Sequence, residues 1–251
     1  MLISKIWKNN PQMLKLTLEK GFFIMEKIID VKDLPSRKFL TKTQGGHSIY
    51  LLENGLKYKR YGDLTPEQEK SLKEQLSEES CIFSFPKQLV EAEEKIVGVI
   101  STYEQGIELE SIPEDVNIND LLNKVLKAEF EISRLSMKGW RLLDIHGNNI
   151  IVGTNPLTFR IIDTDYYVKR TDKDYKTLVR ENRMELITAL IFNIIPKLPV
   201  SSIMKDKKMN KEYLLAINGY ISPTEYLVSI LDKLKKHNEI TDIKSLRKSL
   251  L

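Results

Sequence analysis

The chain has 251 residues, enough for one large domain or two lobes, and its 41% hydrophobic and 29% charged residues exclude disorder of the whole chain. Its single cysteine, Cys81, excludes an intrachain disulfide framework and a cysteine-based zinc site, and favours a reducing cytoplasm. The net charge is +4, but Lys and Glu are interleaved and form no aromatic-studded basic stripe, so nucleic acid is not an expected partner.

Neither the most apolar run nor the N-terminus predicts contact with a membrane. The run from Leu186 to Ile195 is too short to cross a bilayer before Pro196, and indicates a buried helix. The N-terminus lacks a continuous apolar segment followed by a small-residue cleavage site, so we expect no signal peptide. Back-translation of Glu19 to Gly21 is compatible with a purine-rich ribosome-binding sequence before Met25. We therefore expect Met25 to be the true start and residues 1–24 to be an extension.

The first half of the chain carries the pattern of a hairpin, a helix and a second hairpin. From Phe39 to Tyr61, two runs of aromatic and branched residues flank Asn54-Gly55, which predicts a tight hairpin turn. Thr65 as N-cap before Pro66 predicts a helix over about residues 66–77. The second hairpin turns on charged residues, and its strands are predicted near Gln88 to Ala92 and Ile96 to Tyr103.

After Gly106 the pattern changes to that of a long amphipathic helix. Asn119 or Asp120 is predicted to cap this helix, and Gly139 to end it. Its predicted core residues lie near helical spacing: Leu122, Val125, Leu126, Ile132 and Leu135.

A third hairpin and a helical remainder complete the chain. The hairpin turns at Gly153 to Pro156 and its second strand ends at Asp163, whereas Lys173 to Leu251 is mostly helical. The sequence thus predicts an α+β protein. A small antiparallel β-rich lobe with one helix, residues 25–104, precedes a larger, mainly α-helical lobe, residues 105–251.

Three oxygen-bearing side chains lie at the ends of the third hairpin. Asp144 and Asn149 precede its first strand, and Asp163 follows its second, so the short turn is expected to bring all three to one edge. Oxygen ligands without a cysteine or histidine cluster suit Mg²⁺, which keeps waters and completes its shell with substrate phosphates. This pattern indicates nucleotide chemistry, in which a metal and a Lys clamp the phosphates and a carboxylate orients the attacking hydroxyl.

The stretch "LLDIHGNNIIV" and the later "FRIIDTD" resemble the catalytic loop and the metal-binding Asp of the protein-kinase-like superfamily. The Asp-x-His-x-x-Asn form is most similar to aminoglycoside phosphotransferases, choline kinases and atypical bacterial kinases. The resemblance implies a bilobal fold that uses ATP and Mg²⁺. It further implies that Asp144 is the catalytic base, that Asn149 and Asp163 bind Mg²⁺, and that His146 faces the phosphates.

The same resemblance assigns roles in the β-rich lobe. Gly45 and Gly46 would form a shortened phosphate-covering loop, although the full G-x-G-x-x-G is absent. Lys59 would pair with the α and β phosphates, while strand alternation turns its neighbour Tyr58 to the opposite face. Glu74 is the predicted helix partner of Lys59, and Glu78 and Glu69 remain as alternatives. A further alternative is that Lys59 is a solvent-facing strand residue.

The end of the second hairpin resembles the linker between kinase lobes. Ser101 would occupy the gatekeeper position, and the backbone of Thr102, Tyr103 and Glu104 would bind adenine. Glu108 would then face the ribose.

Two departures from the protein-kinase pattern bear on regulation and substrate. Leu142-Leu143 stands where protein kinases carry His-Arg, so the Arg that reads a phosphorylated activation loop is missing. Thr164-Asp165 replaces Phe-Gly, and only about twenty residues remain for an activation segment before the apolar helix at residues 184–195. We therefore expect neither control by loop phosphorylation nor the usual platform for a peptide substrate.

Three functions remain open from the sequence. The leading one is phosphate transfer from ATP to a hydroxyl of a small molecule or an unconventional protein substrate. The second is a pseudokinase that binds nucleotide or a partner without turnover, and the third is AMP transfer from the same cleft. The acceptor is not identified by the sequence, because Lys173 to Leu251, where specificity would be built, contains no recognisable site.

Overall fold

The computed structural model describes residues 18–19, 22–23, 27–43, 46–53, 55–194, 207–235 and 239–249. The chain divides into two compact units, of which the first comprises Met1–Glu78 with Phe85–Tyr103 and the second Glu79–Ser84 with Glu104–Leu251. Within the described residues, the first unit is a β-sheet with one α-helix and the second is mainly helical. The predicted α+β class is confirmed, because a β-rich unit with one helix and a mainly helical unit are both present.

The first unit is built on a six-stranded sheet in the order β3-β7-β8-β6-β5-β4, and β1 and β2 form a separate two-stranded ribbon. The strands are β1 Leu18–Glu19, β2 Phe22–Phe23, β3 Ile28–Asp30, β4 Arg37–Lys42, β5 Ser48–Leu52, β6 Leu56–Arg60, β7 Gln88–Ala92 and β8 Lys95–Thr102. All pairs in the sheet are antiparallel except β3 with β7. Both predicted hairpins of this unit are therefore confirmed as β5–β6 and β7–β8.

Two strands of the sheet, β3 and β4, were not predicted. Strand β3 has three residues, too few for an alternating pattern to be recognised. Strand β4 lies at the edge of the sheet, and five of its six residues are exposed, so its Lys and Arg residues conceal the alternation.

The only α-helix among the described residues of this unit, α1, spans Pro66–Gln75. The Thr65 hydroxyl accepts a hydrogen bond from the Gln68 amide at 3.2 Å, and the Gln68 side chain accepts one from the Thr65 amide at 2.9 Å. This reciprocal capping box satisfies two backbone donors at the helix start. The predicted cap and start are confirmed, and the helix ends two residues before the predicted end.

The second unit contains five short strands and five α-helices within its described residues. The strands are β9 Ile107–Glu108, β10 Trp140–Arg141, β11 Ile150–Thr154, β12 Leu157–Ile161 and β13 Val168–Lys169. The helices are α2 Ile118–Met137, α3 Tyr175–Ile194, α4 Lys207–Ile217, α5 Pro223–Lys235 and α6 Ile243–Ser249. Strands β12, β11 and β9 form one sheet, β10 pairs with β13, and the predicted third hairpin is confirmed as β11–β12.

The cap and the core face of α2 differ from the prediction. Asn117 caps the helix, because its side chain accepts hydrogen bonds from the amides of Asn119 and Asp120. Leu126, predicted in the core, is 39% exposed, whereas Leu121 is 2% exposed. The buried stripe runs through Leu121 and residues three and four positions apart, which places Leu126 about 100° outside it. Gly139 ends the helix as predicted, with a left-handed φ of 84°.

Helix α3 begins at Tyr175, earlier than the predicted apolar segment. Only residues 164–174 therefore separate Asp163 from the helix, and they contain a single 3-10 turn and β13. In the part of the chain that the structure describes, no helix is both long and apolar enough to cross a membrane.

Candidate active site

The loop between β10 and β11 alternates buried and exposed side chains. Leu142 is fully buried and Ile145 is 4% exposed, so both anchor the loop in the core of the second unit. The side chains of Asp144 and His146 are 43% and 50% exposed and lie 3.6 Å apart, between Asp144 Oδ1 and His146 Nε2. The apolar anchors therefore hold two polar side chains at the surface.

Asn149 is the inner member of the predicted trio and is only 7% exposed. Its side-chain amide donates to the Asp144 carbonyl at 3.0 Å and to Asp144 Oδ2 at 3.4 Å. Because its NH₂ group makes both contacts with Asp144, its amide oxygen is not used in them.

The β11–β12 hairpin brings Asp163 to the same edge as Asn149. Ile150 is paired with Ile161, and one step further the amide of Ile162 donates to the Asn149 carbonyl at 2.8 Å. Asp163 is the next residue and is half-buried. The structure therefore brings Asp144, Asn149 and Asp163 together in the way that the sequence pattern predicts.

Both aspartates of the trio have a left-handed backbone. Their φ values are 63° for Asp144 and 58° for Asp163, and neither residue is a glycine. This conformation costs a non-glycine residue about 1 kcal/mol or more, and such strain is concentrated at functional sites. Both left-handed residues therefore lie at positions of the predicted site.

Tyr167 is buried beside several carboxylates, which include two members of the trio. Burial raises the pKa of its hydroxyl well above the ordinary value, and the nearby charges of Asp144, Glu185, Asp163 and Asp165 raise it further, in that order. Asp165, which follows Thr164 in the pair Thr164-Asp165, is 9% exposed and belongs to the same acidic group. The site is consequently rich in negative charge, as a site for a divalent cation should be.

The donor set fits Mg²⁺ better than a metal that needs a closed protein cage. Among the described residues, no group of three or more His, Cys, Asp or Glu has the geometry to hold a metal ion. Mg²⁺ does not require one, since it is usually bound by one or two carboxylates together with waters and substrate phosphates. Asn149 and Asp163 are the residues that would hold it.

A buried asparagine on α3, which the sequence patterns did not single out, forms hydrogen bonds with the residues that lead into the loop. Asn182 is fully buried, and its side-chain oxygen accepts from the Leu142 amide at 2.8 Å and from Arg141 Nη1 at 3.1 Å. Its NH₂ group donates to the Ser136 hydroxyl and to the Trp140 carbonyl, each at 2.9 Å. One side chain thus connects α2, α3 and the strand leading to Asp144.

Arg141 and Gly147 fix the two ends of the same loop. Arg141 forms ion pairs with Glu181 at 3.0 Å and Glu185 at 2.7 Å, both on α3. A Cβ at Gly147 would meet the Asn193 side-chain amide at 2.5 Å, so the Asn193 side chain would have to move to admit a larger residue. These contacts explain why the loop is held closely against α3.

Lys59 lies on the α1 side of the sheet in the first unit and is buried. The alternative that it is a solvent-facing strand residue is therefore wrong. Its side chain is 3% exposed, and its Nζ lies 5.7 Å from the centre of the Tyr61 ring. Tyr58 points to the other face, where it packs with Leu52. The predicted alternation is therefore present.

The three candidate partners of Lys59 differ in burial. Glu78 is 7% exposed, whereas Glu74 and Glu69 are half-buried. Glu74 and Glu69 also line an open depression on the surface of α1 together with Lys70 and Lys73. Burial therefore favours Glu78 over the first choice, Glu74, and the pairing itself stays a prediction.

The predicted phosphate-covering loop corresponds to the turn between β4 and β5. Gly46 has a φ of 83°, and its amide donates to the Thr43 carbonyl at 2.9 Å. The Thr43 amide donates in turn to the His47 carbonyl at 2.8 Å, which closes a short hairpin. Gly45 lies outside the described residues, so its predicted role stays a prediction.

The predicted linker residues are divided between the two units. In the first unit, Ser101 is 4% exposed and the Tyr103 amide donates to the Gly55 carbonyl at 3.0 Å, while Thr102 ends β8. In the second, Glu104 forms an ion pair with Arg160 at 3.0 Å. Glu108 lies in β9, is exposed, and is paired with Ile151 of β11.

Comparisons with known proteins give similarity to solved structures and to no family model or curated protein. No protein-family model matches the sequence, and no curated protein matches it either. Among solved structures, a chain in the crystal structure of the yeast RNA Pol II CTD kinase complex is similar, with a TM-score of 0.44 and 14% identity. The match covers 55% of this chain and 48% of that chain, so this chain spans about half the length of the one it matches.

Proposed function

We propose that this protein is an ATP- and Mg²⁺-dependent phosphotransferase with a kinase-like mechanism. It transfers the γ-phosphate to a hydroxyl of a small molecule or of an unconventional protein substrate. The observation that carries the proposal is the joining of Asp144, Asn149 and Asp163 at one edge of the β11–β12 hairpin, with both aspartates in strained conformations. A phosphotransferase requires this combination of a solvent-accessible carboxylate beside a pair of metal-binding oxygens.

Each side chain of the trio has a separate role in the proposed reaction. Asn149 and Asp163 are the residues that would hold Mg²⁺, and the bound ion would neutralise charge on the phosphates. Asp144 accepts a hydrogen bond from the acceptor hydroxyl, orients its oxygen for in-line attack and takes its proton. His146, beside Asp144, faces the transferred phosphoryl group and supplies a donor in the place where protein kinases use Lys.

The first unit contributes the proposed nucleotide contacts. Lys59 binds the α and β phosphates, and a helix-side glutamate, Glu78 or Glu74, orients it. The β4–β5 turn at Gly46 covers the phosphates, the backbone at residues 102–104 binds adenine, and Glu108 faces the ribose.

A labelling experiment tests the reaction type. Purified protein is incubated with Mg²⁺ and ATP, alone and with candidate hydroxyl acceptors, and the products are analysed by mass spectrometry. We expect added phosphate for the wild type and none for Asp144→Asn, which should still bind ATP. Added AMP would contradict the proposal in favour of nucleotide transfer.

A pseudokinase is the second candidate, and it is favoured by the incomplete glycine loop, because the full G-x-G-x-x-G is absent from the chain. It predicts nucleotide or partner binding without any labelled product. The retained Asp144, Asn149 and Asp163 weigh against it, because a binding module has no need of a strained catalytic loop.

We also propose the cytoplasm as the location of the protein. Cys81 is exposed and unbonded, which is typical of a reducing compartment.

A further inference from the structure

Glu181 on α3 connects the two segments that carry the aspartates of the candidate site. One of its carboxylate oxygens forms an ion pair with Arg141 at 3.0 Å, three residues before Asp144. Its other oxygen forms an ion pair with Lys173 at 2.5 Å, near the end of the segment 164–174. A single carboxylate therefore joins the strand that leads to Asp144 to the end of the segment that follows the second aspartate.

The backbone of the same two segments is paired, but over a short length. Strand β10 pairs with β13, and Arg141 is opposite Val168. One step further, the Arg170 amide donates to the Gly139 carbonyl at 2.8 Å. An isolated two-stranded ribbon is marginally stable at best, and each strand of this one has only two residues. The ribbon therefore needs support from side chains.

The backbone and side-chain contacts together form a closed ring. Backbone pairing leads from Arg141 to Val168, and the chain continues to Lys173. Glu181 then connects Lys173 back to Arg141. The side chains of Arg141, Glu181 and Lys173 are 14%, 20% and 27% exposed, so solvent and salt screen these ion pairs less than fully exposed ones.

We propose that Glu181 is a positioning residue, which fixes residues 164–174, and with them Asp163, relative to Asp144. The inference rests on the proposed function, because that function gives these two aspartates their roles in metal binding and proton transfer. A carboxylate that belongs to the chain holds the segment permanently, whereas a phosphorylated segment is ordered only after its modification. The order of residues 164–174 consequently requires no phosphate.

Hydrogen exchange followed by mass spectrometry tests the order of the segment in the full chain without ATP. The test variants are Glu181→Gln and Lys173→Met. The matched control is Asp172→Asn, which removes an exposed ion pair with Arg170 inside the segment. We expect the amides of residues 164–174 to exchange about tenfold faster in both test variants and at the wild-type rate in the control. Exchange in α5 should stay unchanged, which excludes a general loss of stability.

Turnover of Mg²⁺-ATP, with water or a hydroxyl compound as the acceptor, tests whether this order affects the reaction. We expect kcat to fall about tenfold in Glu181→Gln, because a displaced carboxylate slows the chemical step. The KM for Mg²⁺-ATP should change by less than about threefold, since the proposed lysine contact to the phosphates is in the first unit.

Two further variants separate the positioning role from a general structural one. Lys173→Arg keeps the cation and should retain the wild-type kcat. The double variant Glu181→Gln/Lys173→Met should have the kcat of Glu181→Gln alone, because both changes break the same ring. Glu181→Gln leaves Arg141 paired with Glu185 at 2.7 Å, so it does not leave the arginine without a carboxylate.

The outcomes distinguish this inference from the proposed function. Exchange of the segment in Glu181→Gln at the rate of the Asp172→Asn control overturns the inference and leaves the phosphotransferase proposal standing. Unchanged kcat in Glu181→Gln, or additive losses in the double variant, also overturn it. No turnover of Mg²⁺-ATP by the wild type contradicts the proposed function, and hydrogen exchange then still decides whether Glu181 orders the segment. If Glu181→Gln does not fold, Lys173→Met removes the same contact from its more exposed side and takes its place.

Discussion

At the scale of single residues, the candidate site combines exposed polar side chains, Asp144 and His146, with buried asparagines that are held by hydrogen bonds. Asp144, Asn149 and Asp163 were predicted as a trio because their spacing around a hairpin is itself a pattern. Asn182 was not predicted, because one asparagine within an apolar helix has no neighbouring signal that shows what it contacts. Its four hydrogen bonds are visible only when α2, α3 and β10 are packed.

Replacement of Asn182 tests whether this side chain supports the loop. In Asn182→Leu, the Leu142 amide would lose its Asn182 acceptor in a fully buried position. An unsatisfied buried polar group costs about 1–3 kcal/mol, so we expect a loss of about 3 kcal/mol in the free energy of unfolding. Urea denaturation measures it, with Asn123→Leu on the exposed face of α2 as control. A loss no larger than that of the control would contradict the proposed support.

A second prediction at this scale concerns Tyr58. Its hydroxyl is buried without a hydrogen-bond partner among the described residues, and burial raises its pKa, while the charges of Arg60 and Arg37 act in the opposite direction. Tyr58→Phe removes the unpartnered group and keeps the ring stacked on Tyr50. We expect equal or greater stability, by up to about 1 kcal/mol, in thermal unfolding. A clear loss would show that the hydroxyl has a stabilising contact.

At the scale of secondary-structure elements, local signals predicted best where the pattern is local. The capping box of α1 and the hairpins β5–β6, β7–β8 and β11–β12 follow from residues close in sequence. Strand β4 and the core face of α2 did not follow, because edge position and neighbouring helices decide which side of an element is covered. Leu126 and Leu121 are equally apolar, and only the packed structure distinguishes them.

The turn between β7 and β8 offers a prediction at this scale. Glu93 and Glu94 have φ values of 50° and 62°, so both adopt the left-handed backbone of a two-residue hairpin turn that favours Asn-Gly. Glu94→Gly removes the steric cost at one position, and we expect about 1 kcal/mol of added stability. Chemical denaturation checks this, with Glu94→Ala as the comparison that keeps the strain. Equal stability of the two variants would contradict the account.

At the scale of the whole molecule, the α+β class could be predicted because hairpin and helix signals are separated along the chain. The grouping of residues 79–84 with the second unit could not be, because it depends on long-range pairing. The amide of Ser84 donates to the Ile161 carbonyl and the Ile161 amide to the Ile82 carbonyl, each at 2.8 Å. These bonds connect residues far apart in sequence, and no local pattern records them.

The most direct test of the central claim is metal-dependent stabilisation by ATP. Melting temperatures are measured with ATP, with and without Mg²⁺, for the wild type, Asp163→Asn and the exposed control Asp115→Asn. We expect Mg²⁺ to increase the stabilisation by ATP in the wild type and in Asp115→Asn, because ligand that binds only the folded state raises its stability. Asp163→Asn should lose this Mg²⁺-dependent increase. No stabilisation of the wild type at millimolar ATP, or an equal Mg²⁺ effect in Asp163→Asn, would contradict the assignment of a catalytic metal site.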